Sequence, residues 1–242
     1  MARRDFVLGL GAVAGSLLTG RGLCQGGAAG QTDLRVVAGV RIVDTRIAKA
    51  ADDLSQSVSP RYLYNHAMRT YLFGALIGRA TGATYDEELF FLASILHDLG
   101  LTERYAGAKP FEIEGAFAAD AFLRAQGLLT AKAELVWDAI AMHPLAISQH
   151  KQSEIKLVAS GAAADVVGAG LDAVSSLDRD AVLRAYPRLG FKARFVSTCA
   201  EVVRQHPGGA KGTFMRDIGE RKVPNFHVSN ICDAIDEAPF GE

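Results

Sequence analysis

Leu89-Phe90-Phe91-Leu92-Ala93-Ser94-Ile95-Leu96-His97-Asp98-Leu99-Gly100 decides how this chain is read. Eight residues without a charge run directly into an imidazole and a carboxylate. A helix of that composition is apolar all round and belongs in a core. A charge buried at its end needs a partner, and a metal ion is a good one. His66 lies upstream in Tyr64-Asn65-His66-Ala67-Met68-Arg69, and Asp165 lies downstream in Ala162-Ala163-Ala164-Asp165-Val166-Val167-Gly168. Each stands where a helix is otherwise apolar or small. Two nitrogens and two carboxylates, from His66, His97, Asp98 and Asp165, suit one divalent ion (Fe, Zn or Mn) engaged in hydrolytic work.

Helical periodicity continues on both sides of this stretch. Ser59-Pro60 opens the helix that carries His66, and Thr81-Gly82 closes it. Asp86-Glu87-Glu88 places carboxylates in the first turn of the next helix, which is expected to run through Gly100. Pro110 opens a helix to about Gln126. Thr130 caps one that reaches His143, where Pro144 ends it. Ser153 caps the helix that carries Asp165, broken by Gly168-Ala169-Gly170. Upstream, Thr45 caps a helix to about Val58 with Ala48, Ala51 and Leu54 on one side. Leu177 to Tyr186, Lys192 to His206 and Val228 to Ile235 complete the pattern. Residues 31 to 43 alternate loosely and predict a short extended arm. Nothing demands a sheet, so the fold class is all-α, a helical bundle in a single domain.

Several of these segments resemble the HD metal-dependent hydrolase superfamily, and within it the cyanamide hydratase-like branch. The resemblance is carried by Asn65 to Gly74, Leu96 to Gly100, Phe111 to Ala116, Ala164 to Gly168 and Tyr186 to Lys192. It implies an HD-type metal-binding domain over residues 59–206. An N-terminal arm and helix (31–58) would precede it, and a C-terminal extension (207–242) would pack on it. It also implies an enzyme that uses metal-activated water. Many binuclear HD proteins carry extra histidines after the His-Asp pair. The full set is missing here, which points to one ion rather than two.

Proton transfer falls to Glu114, Glu112 or His143. Arg69, one turn from His66, is a candidate for anion binding or for pairing with a ligand carboxylate. The reaction read from this set is hydration or hydrolysis of a small, nitrogen-containing molecule. One alternative is an HD phosphohydrolase acting on a nucleotide or phosphoester, with Arg69, Arg104 and Lys109 meeting in space. Another is a non-catalytic metal-binding module. No P-loop or tight cationic cluster is present to cradle phosphate.

The 242 residues carry 26 basic and 27 acidic side chains, a formal charge of −1 that gives nucleic acid no bulk basic field to bind. Residues 1–30 read differently from the rest. Arg3-Arg4-Asp5-Phe6-Val7-Leu8 precedes a weakly apolar, Gly/Ala-rich stretch and then Gly26-Gly27-Ala28-Ala29-Gly30. Charge, apolar run and small residues in that order form a secretory signal, and the paired arginines resemble a twin-arginine export signal. The expectation is cleavage near Ala28 or Ala29, handling by the twin-arginine machinery, no stable membrane anchor afterwards, and a periplasmic or secreted protein. Cys199 and Cys232 would remain, without the CxxC spacing of a metal or redox site. The oligomeric state is left open.

Overall fold

The computed structural model describes residues 35–239; the export signal read over residues 1–30 lies outside the described residues. The expected extended arm is a hairpin. Strands β1 (Val36–Val37) and β2 (Val40–Arg41) pair antiparallel. Ala38 and Gly39 have φ of 51° and 70°, the two positive values that a tight hairpin turn needs. The Tyr71 hydroxyl donates to Arg41 O at 2.7 Å and the Arg79 guanidinium to Gly39 O at 2.8 Å. These bonds give the hairpin's backbone partners that its own short ladder lacks.

Helices follow in chain order: α1 (Arg46–Val58), α2 (Arg61–Thr81), α3 (Glu87–Leu96), α4 (Phe111–Ala125) and α5 (Thr130–Met142). After these come α6 (Ser153–Val167), α7 (Ser176–Ala185), α8 (Phe191–Gln205), α9 (Met215–Lys222) and α10 (Ile231–Asp236). Thr45 caps α1 by accepting from Ala48 N, and Asp86 caps α3 by accepting from Glu88 N and Leu89 N. Thr130 and Ser153 are the first residues of their helices and make no cap bond. Gly82 closes α2 in the left-handed region at φ 67°, where glycine carries no steric penalty.

α3 is the centre of the bundle. All eight residues from Leu89 to Leu96 are buried, and the helix touches α1, α2, α4, α5 and α6. Each buried Phe or Leu of this run contributes about 1.5–3 kcal/mol, so no surface position is open to the helix. α3 stops at Leu96, four residues earlier than its composition suggests. His97 keeps helical angles, but Asp98 turns to φ −102°, ψ 14°, and Leu99–Leu101 form a tight 3₁₀ turn.

A second apolar cluster joins α8 and α9 to the start of α2 and α4, through Tyr62, Phe111, Phe191, Phe195 and Met215. α9 had no clear signal in the sequence, because its buried anchors are few; Met215 and Gly219 are its only buried residues. Cys199 is buried on α8 and Cys232 is exposed on α10, and both are free thiols. Among the described residues no helix is long and apolar enough to cross a membrane.

Candidate metal centre

Two close helix contacts build the site. At the α2–α6 crossing, a Cβ on Gly161 would stand 2.0 Å from Thr70 O. Only glycine lets the two backbones approach that closely. One turn further along α6, Asp165 therefore lies against the turn of α2 that holds His66 and Arg69. At the second contact, a Cβ on Gly100 would stand 1.9 Å from Phe111 O. That contact seats the first turn of α4 on the His97-Asp98 bend and brings Glu112 close to Asp98.

The bend at Asp98 solves a geometric problem. Adjacent residues on a regular helix point about 100° apart. With the helix broken at Asp98, both side chains converge. His66 Nε2 lies 3.3 Å from His97 Nε2 and 3.5 Å from Asp98 Oδ2, and His97 Nε2 lies 3.4 Å from Asp98 Oδ2. All three residues are buried. A point equidistant from three atoms so spaced is about 2 Å from each (the side divided by √3), the length of nitrogen and carboxylate bonds to zinc.

The hydrogen bonds behind the triangle decide what it presents inward. His66 Nδ1 pairs with Asp165 Oδ2 at 2.7 Å, and His97 Nδ1 pairs with Ser94 O at 2.8 Å. An acceptor at each Nδ1 assigns the ring proton there and turns a bare Nε2 lone pair toward the centre. Asp98 Oδ2 has no hydrogen-bond partner. Three acceptors thus face one another without a donor among them, an arrangement that a cation relieves. The donor chemistry and the spacing both fit a divalent metal.

Burial, and then the neighbouring His66, push the His97 imidazole down to about 3. Burial also raises the Asp98 carboxyl above its usual range, against the pull of His66 and His143. Both shifts express the cost of charge in a dry centre.

Asp165 is placed differently from its expected role as a ligand. Its carboxylate lies at the Nδ1 edge of His66, the edge opposite the triangle, and it is filled from behind. Arg69 Nε donates to Oδ1 and Arg69 Nη2 to Oδ2, both at 2.7 Å, and Arg188 Nη1 donates to Oδ1 at 2.6 Å. Burial alone would raise the Asp165 carboxyl; hydrogen bonds from His66 and Arg69 hold it well below the usual carboxylate range. Asp165 is an anionic brace for His66, and the structure brings three of the four expected ligands into the triangle.

Arg69 takes the second of its two expected roles, pairing with the carboxylate of Asp165. It is fully buried, and its guanidinium is spent on Asp165 and on the carbonyls of Tyr186 and Pro187. It does not line the pocket beside the triangle, so it is not presented to a substrate anion. Glu114 lies away from the triangle, against Lys109. Residues two apart on a helix point about 200° away from each other, so Glu112 and Glu114 cannot share a face. Glu114 Oε1 accepts from Lys109 N at 3.0 Å at the outer side of α4. Glu112 is the buried one; its Oε2 has no partner, and burial, with Asp98 adding to it, raises its carboxyl.

His143, the first residue past α5, is buried beside His97, with ring centroids 4.9 Å apart. Its Nδ1 pairs with Ile140 O at 2.7 Å, leaving Nε2 free. Burial and then His97 push it down to about 3. His66, Asp98 and His143 line a pocket of 330 Å³ that opens to solvent. The sequence reading missed Arg188 and the rings that enclose His66. Phe191 packs on His66 at 4.7 Å between centroids, and Phe195 at 5.8 Å. Their signal was available in Tyr186 to Lys192, whose role could not be read without knowing what that segment faces.

The HD domain family model matches residues 63–169. That span opens three residues before His66 and closes four after Asp165, so it encloses every residue of the triangle and its brace. Residues 63–169 thus match the HD domain, the defining unit of a superfamily of metal-dependent hydrolases. No curated protein matches the chain.

Proposed function

We propose that this protein hydrates or hydrolyses a small nitrogen-containing molecule, using water activated at one divalent ion (Fe, Zn or Mn) held by His66, His97 and Asp98. The observation that carries this reading is a three-donor centre that opens on a pocket with no lysine or arginine in its lining. The resemblance of the ligand-bearing segments to the cyanamide hydratase-like branch supports the substrate class. A phosphoester would need cationic partners. Arg69 is committed to Asp165, Arg104 lies over Tyr105, and Lys109 is drawn to Glu114 and Phe117.

A divalent ion in this triangle would make coordinated water acidic enough to act as a nucleophile near neutral pH. The chain's own residues supply the rest. Asp165 holds His66 in the ligating tautomer. His143 Nε2 faces the pocket and orients the substrate's polar group. Glu112, held above its usual range, accepts a proton from the attacking water and returns it to the substrate nitrogen. For a nitrile or cyanamide the balance is simple addition: the water oxygen goes to carbon and both hydrogens end on nitrogen, with no redox change.

The test is a panel of cyanamide, nitriles, amides and phosphoesters, assayed with the chelated protein and after metal return. Turnover of a C–N substrate that stops on chelation and resumes with metal is the expected result. Exclusive turnover of phosphoesters would replace the proposal with the phosphohydrolase reading, and no metal binding at all would remove it. We further propose that the protein works after twin-arginine export. Replacing Arg3 and Arg4 by lysine should then keep the precursor inside the cell, and mature protein still appearing outside would refute this.

A further inference from the structure

The pocket has a polar floor and apolar walls. Phe111, Phe195 and Phe214 contribute three rings. Ala159, Ala162, Ala163 and Val166 line it from α6 at i, i+3, i+4 and i+7, one continuous helical face, and Val167 and Pro144 complete the apolar wall. This face is distinct from the Gly161–Asp165 side that packs on α2, so α6 separates bracing from substrate contact. Asp98, only 5% exposed, lines the same cavity and turns an unpartnered Oδ2 toward the triangle. A substrate whose tail carried a charge would lose its hydration against the rings and alanines and find no counter-ion. A closed, wholly apolar cavity of about 150 Å³ is enough to hold benzene. At 330 Å³ this one has room for a ring and for the group that reacts.

We infer that the site takes an uncharged molecule whose reacting carbon–nitrogen group bears an apolar substituent of about phenyl size, seated among the three phenylalanines and the alanine face of α6. The inference rests on the proposed C–N chemistry for the identity of the reacting group, and on the walls alone for the substituent. Large side chains on either wall set the upper limit of that substituent. The small residues at 162 and 163 are what leave the space.

The experiment is binding, read by calorimetry or ligand-observed NMR on the zinc-loaded protein. Phenylacetamide should bind at least about tenfold tighter than acetamide, and tighter by a similar factor than succinamate, which carries a carboxylate tail on the same amide. Ala163→Phe fills the seat from α6, and Phe214→Ala opens its other wall. Each should erase most of the phenylacetamide preference over acetamide. Two variants on different elements keep the test decisive if one fails to fold. Equal affinity for the three amides, or an unchanged preference in both variants, would overturn the inference. Phenylacetamide preference without turnover of any C–N substrate keeps the seat and removes the proposed reaction. Turnover of cyanamide or acetamide with no phenyl preference does the reverse.

Discussion

Asp165 Oδ2 lies 2.7 Å from His66 Nδ1, on the edge of the imidazole that faces away from the His66–His97–Asp98 triangle. The carboxylate is also held by Arg69 and Arg188. The tautomer, orientation and basicity of His66, a candidate ligand, are thereby set by its neighbours.

Metal binding separates the ligands from the brace. His97→Ala and Asp98→Ala should leave the protein without metal. Asp165→Asn should still load at high metal concentration, with affinity lower by roughly 10- to 100-fold. Elemental analysis across a metal titration distinguishes them. An Asp165→Asn protein as empty as Asp98→Ala at saturating metal would return Asp165 to the ligand set.

The close α2–α6 crossing makes a second prediction. A methyl at position 161 would collide with Thr70 O at 2.0 Å. Gly161→Ala must push the helices apart and should cost at least about 1–3 kcal/mol, the usual range for overpacking. It should weaken metal binding as well, because Asp165 sits one turn away. Urea unfolding and metal titration of the same variant check both. A stable variant with unchanged metal affinity would show that the Gly161 contact is not what positions Asp165.

Stability of the metal-free protein should fall in mild acid. His143 takes a proton only near pH 3 when folded, against about 6.5 for an unfolded histidine. Between those values the unfolded state binds more protons, so this contribution is lost as pH falls from about 6.5 toward 3. His97 acts in the same window. Asp98 and Glu112, both raised, act oppositely: their contribution is present at low pH and is lost as pH rises through their folded values. His143→Gln should flatten the profile by up to about 1.4 kcal/mol per pH unit within the histidine window. Denaturation midpoints between pH 4 and 7 measure this (the pH range is roughly that window). An unchanged slope would mean that His143 is already protonated in the fold.

The two glutamates of α4 provide a catalytic contrast. Glu112→Gln should keep the metal and lower turnover by roughly 10²- to 10⁴-fold, the usual contribution of a general acid–base group. Glu114→Gln should leave turnover unchanged, since its carboxylate caps the Lys109 turn. Steady-state rates on the first C–N substrate found will decide. The reverse pattern would place the proton relay on the outer face of α4.

Much of this molecule was determined by the order of its residues. An apolar run such as Leu89 to Leu96 has no surface on which to lie, so a central helix followed from composition alone. Proline, glycine and capping residues marked the neighbouring helix ends, and His97-Asp98 at the end of a buried helix announced a site. Only the tertiary structure decided which polar groups meet. Whether Asp165 ligates or braces depends on which edge of His66 it reaches, and that is set by how closely Gly161 lets α6 approach α2. Glu112 and Glu114 are equivalent as letters; helical phase and the Gly100–Phe111 contact bury one and leave the other outside. The helix break at Asp98 has the same origin. A local sequence favours a helix or a turn by small increments, whereas a metal-sized triangle and a phenyl-lined pocket require contacts between residues separated by up to the length of the domain.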